Sequence, residues 1–418
     1  MSEAAAFTHM PNLRDATDAQ RAIMDLSGRL AVILDRRARA NDAASIFPME
    51  NYADLHASGY LRLALPKVHG GGGATVFDMV LAQEILARGD ASTALVTGMT
   101  LSLLGRVLDQ RAWPDPVLAD ICTVLARDGG GINNCVTEAE LGSISRGGLP
   151  SMRAERVPGG WRLSGRKIFV TGAPVLRFLA TAVVLPPSDD APRGTLVTAL
   201  VEGGSPGLSI ENTWQGSLGL RGCGNDDVIY DGVFVPDARI VEPLPVGAPP
   251  RPQGGSAWAL PLAAIALGIG QAACDTASHY ANNRTPAALG APIAEQPHIQ
   301  QWVGQMDVRL RAARALLHDT ARALPRDTAR AAVAGELSGM ALTQAVAAAK
   351  FICTETACTV TDTALRVAGG FSMTRGLSLE RYFRDARGGL FQPPQDDLAL
   401  MMLGRAAMAA EKGRGLIQ

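Results

Sequence analysis

The spacing of apolar residues changes period twice along this chain, and few folds accommodate that order. From Asp18 to about Asp128, apolar side chains recur at helical spacing. Ile23, Met24, Leu26, Leu30, Ile33 and Leu34 form one set, and Phe77 to Leu86 a second. Phe47-Pro48 and the four glycines Gly70 to Gly73 separate the runs. From Gly131 to Val241 the runs shorten and fill with β-branched and aromatic residues. They are Trp161 to Leu163, Lys167 to Val170, Ala180 to Leu185, Thr195 to Val201 and Val228 to Val235, with turn-formers such as Pro158-Gly159-Gly160 between them. Pro243 to Pro252 reads as a stiff, exposed linker. Helical spacing then returns, predicting helices over Pro261 to Asn282, His298 to Ala323 and Asp327 to Ala368. The expected fold class is α+β, in the order helices (1–130), β-domain (131–242), linker (243–256), helices (257–418).

Composition narrows the function classes. A hydrophobic share of 47% against 19% charged leaves little room for disorder. A net charge of -1 offers no basic face to nucleic acid or to an anionic membrane, so neither is an expected partner. The six cysteines contain no CxxC pair, which predicts reduced buried thiols rather than disulfides, and no histidine spacing suits a metal, so none is expected. The N-terminus lacks a basic stretch followed by an apolar one, so no secretory signal is expected. The most apolar run, Ala257 to Gly270, reads as too short for a membrane span and contains Pro261. A cytoplasmic protein is expected.

Two glycine motifs invite a nucleotide reading and lose it on context. Gly268-Ile269-Gly270-Gln271-Ala272-Ala273 imitates a dinucleotide fingerprint, but no strand precedes it and it lies within a helical run. Close helix packing through small residues is the expectation. Gly70 to Gly73 lack the Lys-Ser/Thr pair of a phosphate loop and read as a turn feeding the next helix. No Gly-x-Ser-x-Gly elbow is present.

The informative segments lie further on. Cys135-Val136-Thr137-Glu138 ends a predicted strand, and Leu141-Gly142-Ser143 follows in a turn. Ser164 to Gly172 comes about thirty residues later and includes Phe169-Val170-Thr171. Threonine hydroxyls at strand ends can bond the polar edge of a flavin ring, and an aromatic can pack on its apolar end. Ordinary strand chemistry explains these segments equally well when each stands alone.

Taken together, and over almost the whole chain in order, the segments resemble the acyl-CoA dehydrogenase family. Leu65-Pro66-Lys67-Val68-His69-Gly70-Gly71 resembles a loop of its first helical domain, and Glu84 to Ser92 its next helix boundary. Thr137-Glu138-Ala139-Glu140-Leu141-Gly142-Ser143 is similar to its flavin-binding turn, and Phe169-Val170-Thr171 stands where the family has tryptophan-isoleucine-threonine. Arg284-Thr285, Arg366 to Gly370 and Arg384-Asp385-Ala386-Arg387 resemble motifs of its last domain. The resemblance implies a middle β-barrel or sandwich, a C-terminal four-helix bundle and bound FAD. Cys135, Thr137, Gly142, Ser143, Phe169 and Thr171 would serve the flavin, with Ser143 and Phe391 also meeting substrate. Arg284, Arg366, Gly369 and Gly370 would reach the cofactor of a neighbouring subunit in a homotetramer or homodimer. Glu140, Pro286 and Arg366 depart from the family pattern, where glycine, phenylalanine and glutamine are usual.

The larger departure concerns the base. The family removes an α-proton with a glutamate nine residues after the signature arginine, which here is Pro393. A second location used by some relatives is Trp258 by alignment, and the substrate-binding arginine beside it is Ala259. Asp396 and Gln392 are the remaining catalytic candidates near that loop. Asp396 and Asp397 also suit the first turn of a last helix, where the dipole favours acids. The resemblance therefore points to a flavoprotein acting on an acyl-CoA or acyl-carrier thioester with atypical chemistry and O2 as co-substrate. A dehydrogenase with Asp396 as displaced base, passing electrons to an electron-transfer flavoprotein, is the alternative. A degenerate FAD-binding scaffold is the third.

Overall fold

The computed structural model describes residues 16–140, 148–248, 256–324 and 339–413. The N-terminal part contains α1 (Asp18–Ala44), α2 (Met49–Ala57), α3 (Val76–Gly89), α4 (Ala91–Gln110) and α5 (Asp115–Asp128). Capping boxes start α1 at Thr17 and Gln20, and α3 at Thr75 and Asp78, each satisfying two orphan amides. From Met79 to Gly89 every residue of α3 is buried, so this is a core helix rather than an amphipathic one.

The middle part holds β1 (Gly131–Cys135), β2 (Arg153–Val157), β3 (Gly160–Val170), β4 (Leu176–Leu185), β5 (Thr195–Glu202), β6 (Leu208–Glu211), β7 (Asp226–Pro236) and β8 (Ile240–Pro245). They form two four-stranded sheets, ordered β1-β4-β5-β8 and β2-β3-β7-β6. Only the β1–β4 pairing is parallel among these ladders. Leu163, Val228 and Val233 of one sheet join Leu179, Val183 and Val197 of the other in a shared core, which makes a sandwich. The expected linker is corrected at its start. Pro243 and Pro245 lie in β8, with Pro245 opposite Thr195, and β8 is an edge strand, where proline removes no needed ladder bond.

The C-terminal part comprises α6 (Leu260–Asn283), α7 (Pro297–Arg322), α8 (Gly339–Ala368), the short α9 (Leu379–Ala386) and α10 (Asp396–Gly413). Residues 327–338, expected as helix, lie outside the described residues. Pro261 sits in the first turn of α6, where its missing N–H costs nothing, and the helix extends one residue beyond each end of the expected Pro261 to Asn282. By length and composition α4 and α6 could each cross a membrane. In the fold, 94% of the apolar window of α6 is buried, and it is the central helix, packed on α3, α4, α7, α8 and α9.

The dinucleotide-like glycines are helix-packing glycines, as their context indicated. A Cβ on Gly268 would stand 2.4 Å from the Glu84 carbonyl oxygen, which is backbone and cannot swing away. Gly268→Ala should therefore destabilise the chain by about 1–3 kcal/mol through overpacking, measured by denaturant melts. An unchanged melt would mean that α3 and α6 can separate freely.

Candidate functional site

Strand ends bring the expected flavin residues together on the β-domain. The Ile168 N–H donates to the Thr137 carbonyl at 3.0 Å, which sets Thr137 beside the end of β3. The β3–β7 register slips between Lys167 and Val170, and Phe169 takes a left-handed φ of 57°. That conformation is strained for an aromatic residue, and it turns the ring out to 58% exposure, edge-on to Trp214 at 6.1 Å. Thr171 follows, mostly buried, its carbonyl accepting from Asn133 Nδ2 at 3.1 Å. Lys167 and Glu138 form a buried pair at 2.7 Å, and Glu138 also accepts from the Ser151 N–H and hydroxyl. Glu138 thus fastens the turn rather than facing open space. Gly142 and Ser143 lie outside the described residues.

Cys135 is only 1% exposed, its thiol packed in the sandwich core near Tyr230 and Thr181, so the structure does not bring that side chain to the group formed by Thr137, Phe169 and Thr171.

A second group gathers where α6 and α8 end. The Arg284 guanidinium lies over the Phe371 ring at 5.0 Å, which places it beside Gly369 and Gly370. Gly369 has φ 56°, and a Cβ on either glycine would meet nothing within 4 Å among the described residues. Arg366 is exposed and paired with Asp362 at 2.9 Å.

The third region is a small cavity with space for about one water-sized group. Leu95 of α4 and Leu262, Ile265 and Ile269 of α6 make an apolar wall. Lys350 and Thr354 of α8, Asp385 of α9 and Gln392 make a polar one. Of the two catalytic candidates, Gln392 lines this cavity and Asp396 does not. Asp396 lies behind Lys350, whose Nζ donates to Asp396 Oδ1 at 2.5 Å and to the Gly389 carbonyl at 2.7 Å. Phe391 is 73% exposed and forms no part of the wall. Trp258 is buried, its Nε1 bonded to Asp109 at 3.0 Å, and it packs where a side chain on Gly105 would stand. It is core.

The arginine-aspartate-alanine signature is structural cement around the cavity. Arg384 reaches Asp42 of α1 at 2.6 Å, Glu380 at 2.6 Å and the Leu218 carbonyl at 3.0 Å. Asp385 accepts from the Leu220 N–H at 2.6 Å, and burial pushes its carboxyl up to about 7 against the pull of Arg381. A carboxyl whose folded value is raised favours folding while protonated. That contribution is complete below the ordinary aspartate range and is lost as pH rises through about 7. Stability should thus fall as pH rises from about 4 to about 7 by an amount on the order of a few kcal/mol, and Asp385→Asn should flatten that slope in paired melts. An unchanged slope would remove Asp385 as its source.

Sequence reasoning missed Lys350 and passed over Asp385 as a wall residue. The signal for Lys350 was present, because it occupies the same helix stripe as Val346, Cys353 and Ala357, all buried.

Profiles of one family match three successive parts of the chain. They are the acyl-CoA dehydrogenase N-terminal domain over residues 17–112, the middle domain over 133–233 and the C-terminal domain over 259–408. YdbM of Bacillus subtilis, provisionally described as an acyl-CoA dehydrogenase, is 38% identical over 93% of this chain and 97% of its own. A 3-sulfinopropanoyl-CoA desulfinase of Paraburkholderia xenovorans is 30% identical over 94% of this chain and 97% of its own. Among solved structures, a nitrososynthase of Micromonospora carbonacea var. africana superposes with TM-score 0.80 at 26% identity, covering 96% of this chain and 99% of that one.

Proposed function

The chain belongs to the acyl-CoA dehydrogenase family, and on that premise we propose that it is an FAD-dependent, monooxygenase-like oxidoreductase of acyl thioesters that uses O2 as co-substrate, its cofactor being reduced by an external two-electron donor rather than by the thioester. One observation carries the reading. Neither place where the family keeps its base holds a carboxylate: Trp258 is core, and the cavity wall next to Pro393 presents the amide of Gln392. Two of the similar proteins, the desulfinase and the nitrososynthase, are also not dehydrogenases by name.

The residues present fit FAD. The outward Phe169 ring and the Thr137 and Thr171 strand ends suit a flavin ring. Gly369 and Gly370, open to approach, and Arg284 beside them suit a pyrophosphate brought by a second subunit of a dimer or tetramer. Bound there, FAD would supply two-electron chemistry and, once reduced, reactivity toward O2. The protein's share is to hold and enclose. Thr137 and Thr171 orient the ring, and the Leu95–Leu262 wall excludes water. Lys350 fixes the 389–396 loop from both ends, so that Gln392 stays at the wall. The thioester is carried on CoA or on a carrier protein.

Anaerobic mixing followed by air tests the proposal. Flavin-loaded protein mixed with butyryl-CoA should keep its visible flavin absorbance. After chemical reduction, admission of air with substrate should consume O2 and yield an oxygenated product. Prompt bleaching by butyryl-CoA would instead support a dehydrogenase, and its loss in Asp396→Asn would assign the base. Protein that never holds flavin would favour the scaffold.

A further inference from the structure

Lys350 is 2% exposed on the inner stripe of α8, and an ammonium in such a place carries a heavy desolvation cost unless it is matched. Asp396 matches its charge, and the Gly389 carbonyl takes a second N–H. An ammonium has three donors. The third has no partner among the described residues, and Lys350 is part of the cavity wall. Replacing such a pair with apolar residues is often neutral or stabilising, so the fold alone does not call for a lysine there. Opposite it stand Leu95, Leu262 and Ile265, which suit a hydrocarbon chain.

Resting on the thioester reading above, we propose that Lys350 is a specificity residue that recognises the far end of a short acyl group. Its third N–H donates to a neutral oxygen there, a hydroxyl or a keto group. The size of the cavity limits the acyl end to a small group. Charge selects a neutral oxygen over a carboxylate. The lysine is already balanced by Asp396, and Asp385 shares the wall, so an added anion would be buried beside two carboxyl groups while Lys350 has no charge to spare for it.

Calorimetric titration of the flavin-loaded protein under anaerobic conditions tests this with three probes: butyryl-CoA, 4-hydroxybutyryl-CoA and succinyl-CoA. The hydroxylated thioester should bind about tenfold tighter than butyryl-CoA, the scale of one hydrogen bond to a charged donor. In Lys350→Met/Asp396→Leu, which removes both charges and orphans neither, that preference should vanish or reverse. Equal affinities in the wild type, or a preference that survives in the double variant, would overturn the proposal. Tightest binding of succinyl-CoA would overturn the choice of a neutral oxygen. Should the double variant not fold, the wild-type affinity ratio still decides. Failure of every CoA ester to bind would sink the thioester reading itself, and this inference with it.

Discussion

Arg314→Met should cost about 3–5 kcal/mol of stability at neutral pH, because it strands a buried carboxylate. Glu84 of α3 has no exposed surface, and Arg314 of α7 meets its Oε1 at 2.7 Å through Nε while Nη2 bonds Gln271 of α6 at 2.8 Å. The His318 Nε2 lies 3.5 Å from Glu84 Oε2, and an Arg88 nitrogen lies 3.8 Å from Oε1. Burial alone would raise the Glu84 carboxyl, but Arg314 first, then His318 and Arg88, hold it down at about 2. A depressed carboxylate stabilises the fold above its ordinary value near 4.5, and that contribution is lost as pH falls toward about 2. Without Arg314 the burial effect dominates and Glu84 takes up a proton far more readily. The gap between variant and wild type should therefore narrow on acidification. Glu84→Gln/Arg314→Met should recover much of the loss, because no unpaired charge remains. Denaturant melts of the three proteins across pH read this directly, and a single variant within about 1 kcal/mol of wild type at pH 7 would show that Glu84 finds other partners. The consequence reaches the site, since this cluster clamps α6, and α6 supplies the apolar wall of the cavity.

What the sequence revealed follows from which signals are periodic. The three-part order was legible because each part repeats its own spacing over many residues, and α1 and α7 repeat the helical spacing most clearly. β2, β6 and β8 were not, because edge strands expose both faces and so lose alternation. Arg153–Val157 shows no apolar alternation, and Pro243 and Pro245 read as the start of a linker. The inward direction of the Cys135 side chain was not legible for a related reason. β1 buries four of its five residues, so its pattern does not reveal which side chains face the core. The resemblance located the catalytic loop and both missing carboxylates, but it could not place Lys350. That residue comes from α8, some forty positions before the loop it holds, and only packing brings the two together. Asp396 was a candidate base only as a carboxylate near that loop, and its pairing with Lys350 accompanies its place behind the wall rather than in it.

Gln392→Glu should turn the first half of a dehydrogenase reaction on. The side chain at 392 lines the cavity, and glutamate matches glutamine in shape, so the change installs a carboxylate with little repacking. General-base catalysis contributes about 10²–10⁴-fold to proton abstraction, and the base is the one group this substitution restores. Anaerobic mixing of flavin-loaded Gln392→Glu with butyryl-CoA should bleach the flavin at least about a hundredfold faster than wild type. The rate should rise with pH as the new carboxyl ionises. Its midpoint should lie above the ordinary glutamate range, because the wall is apolar on one side and Asp385 stands on the other. Flavin that stays oxidised in Gln392→Glu, with butyryl-CoA bound by calorimetry, would mean that the acyl α-carbon lies out of reach of position 392. The missing carboxylate would then not be what separates this chain from the dehydrogenases.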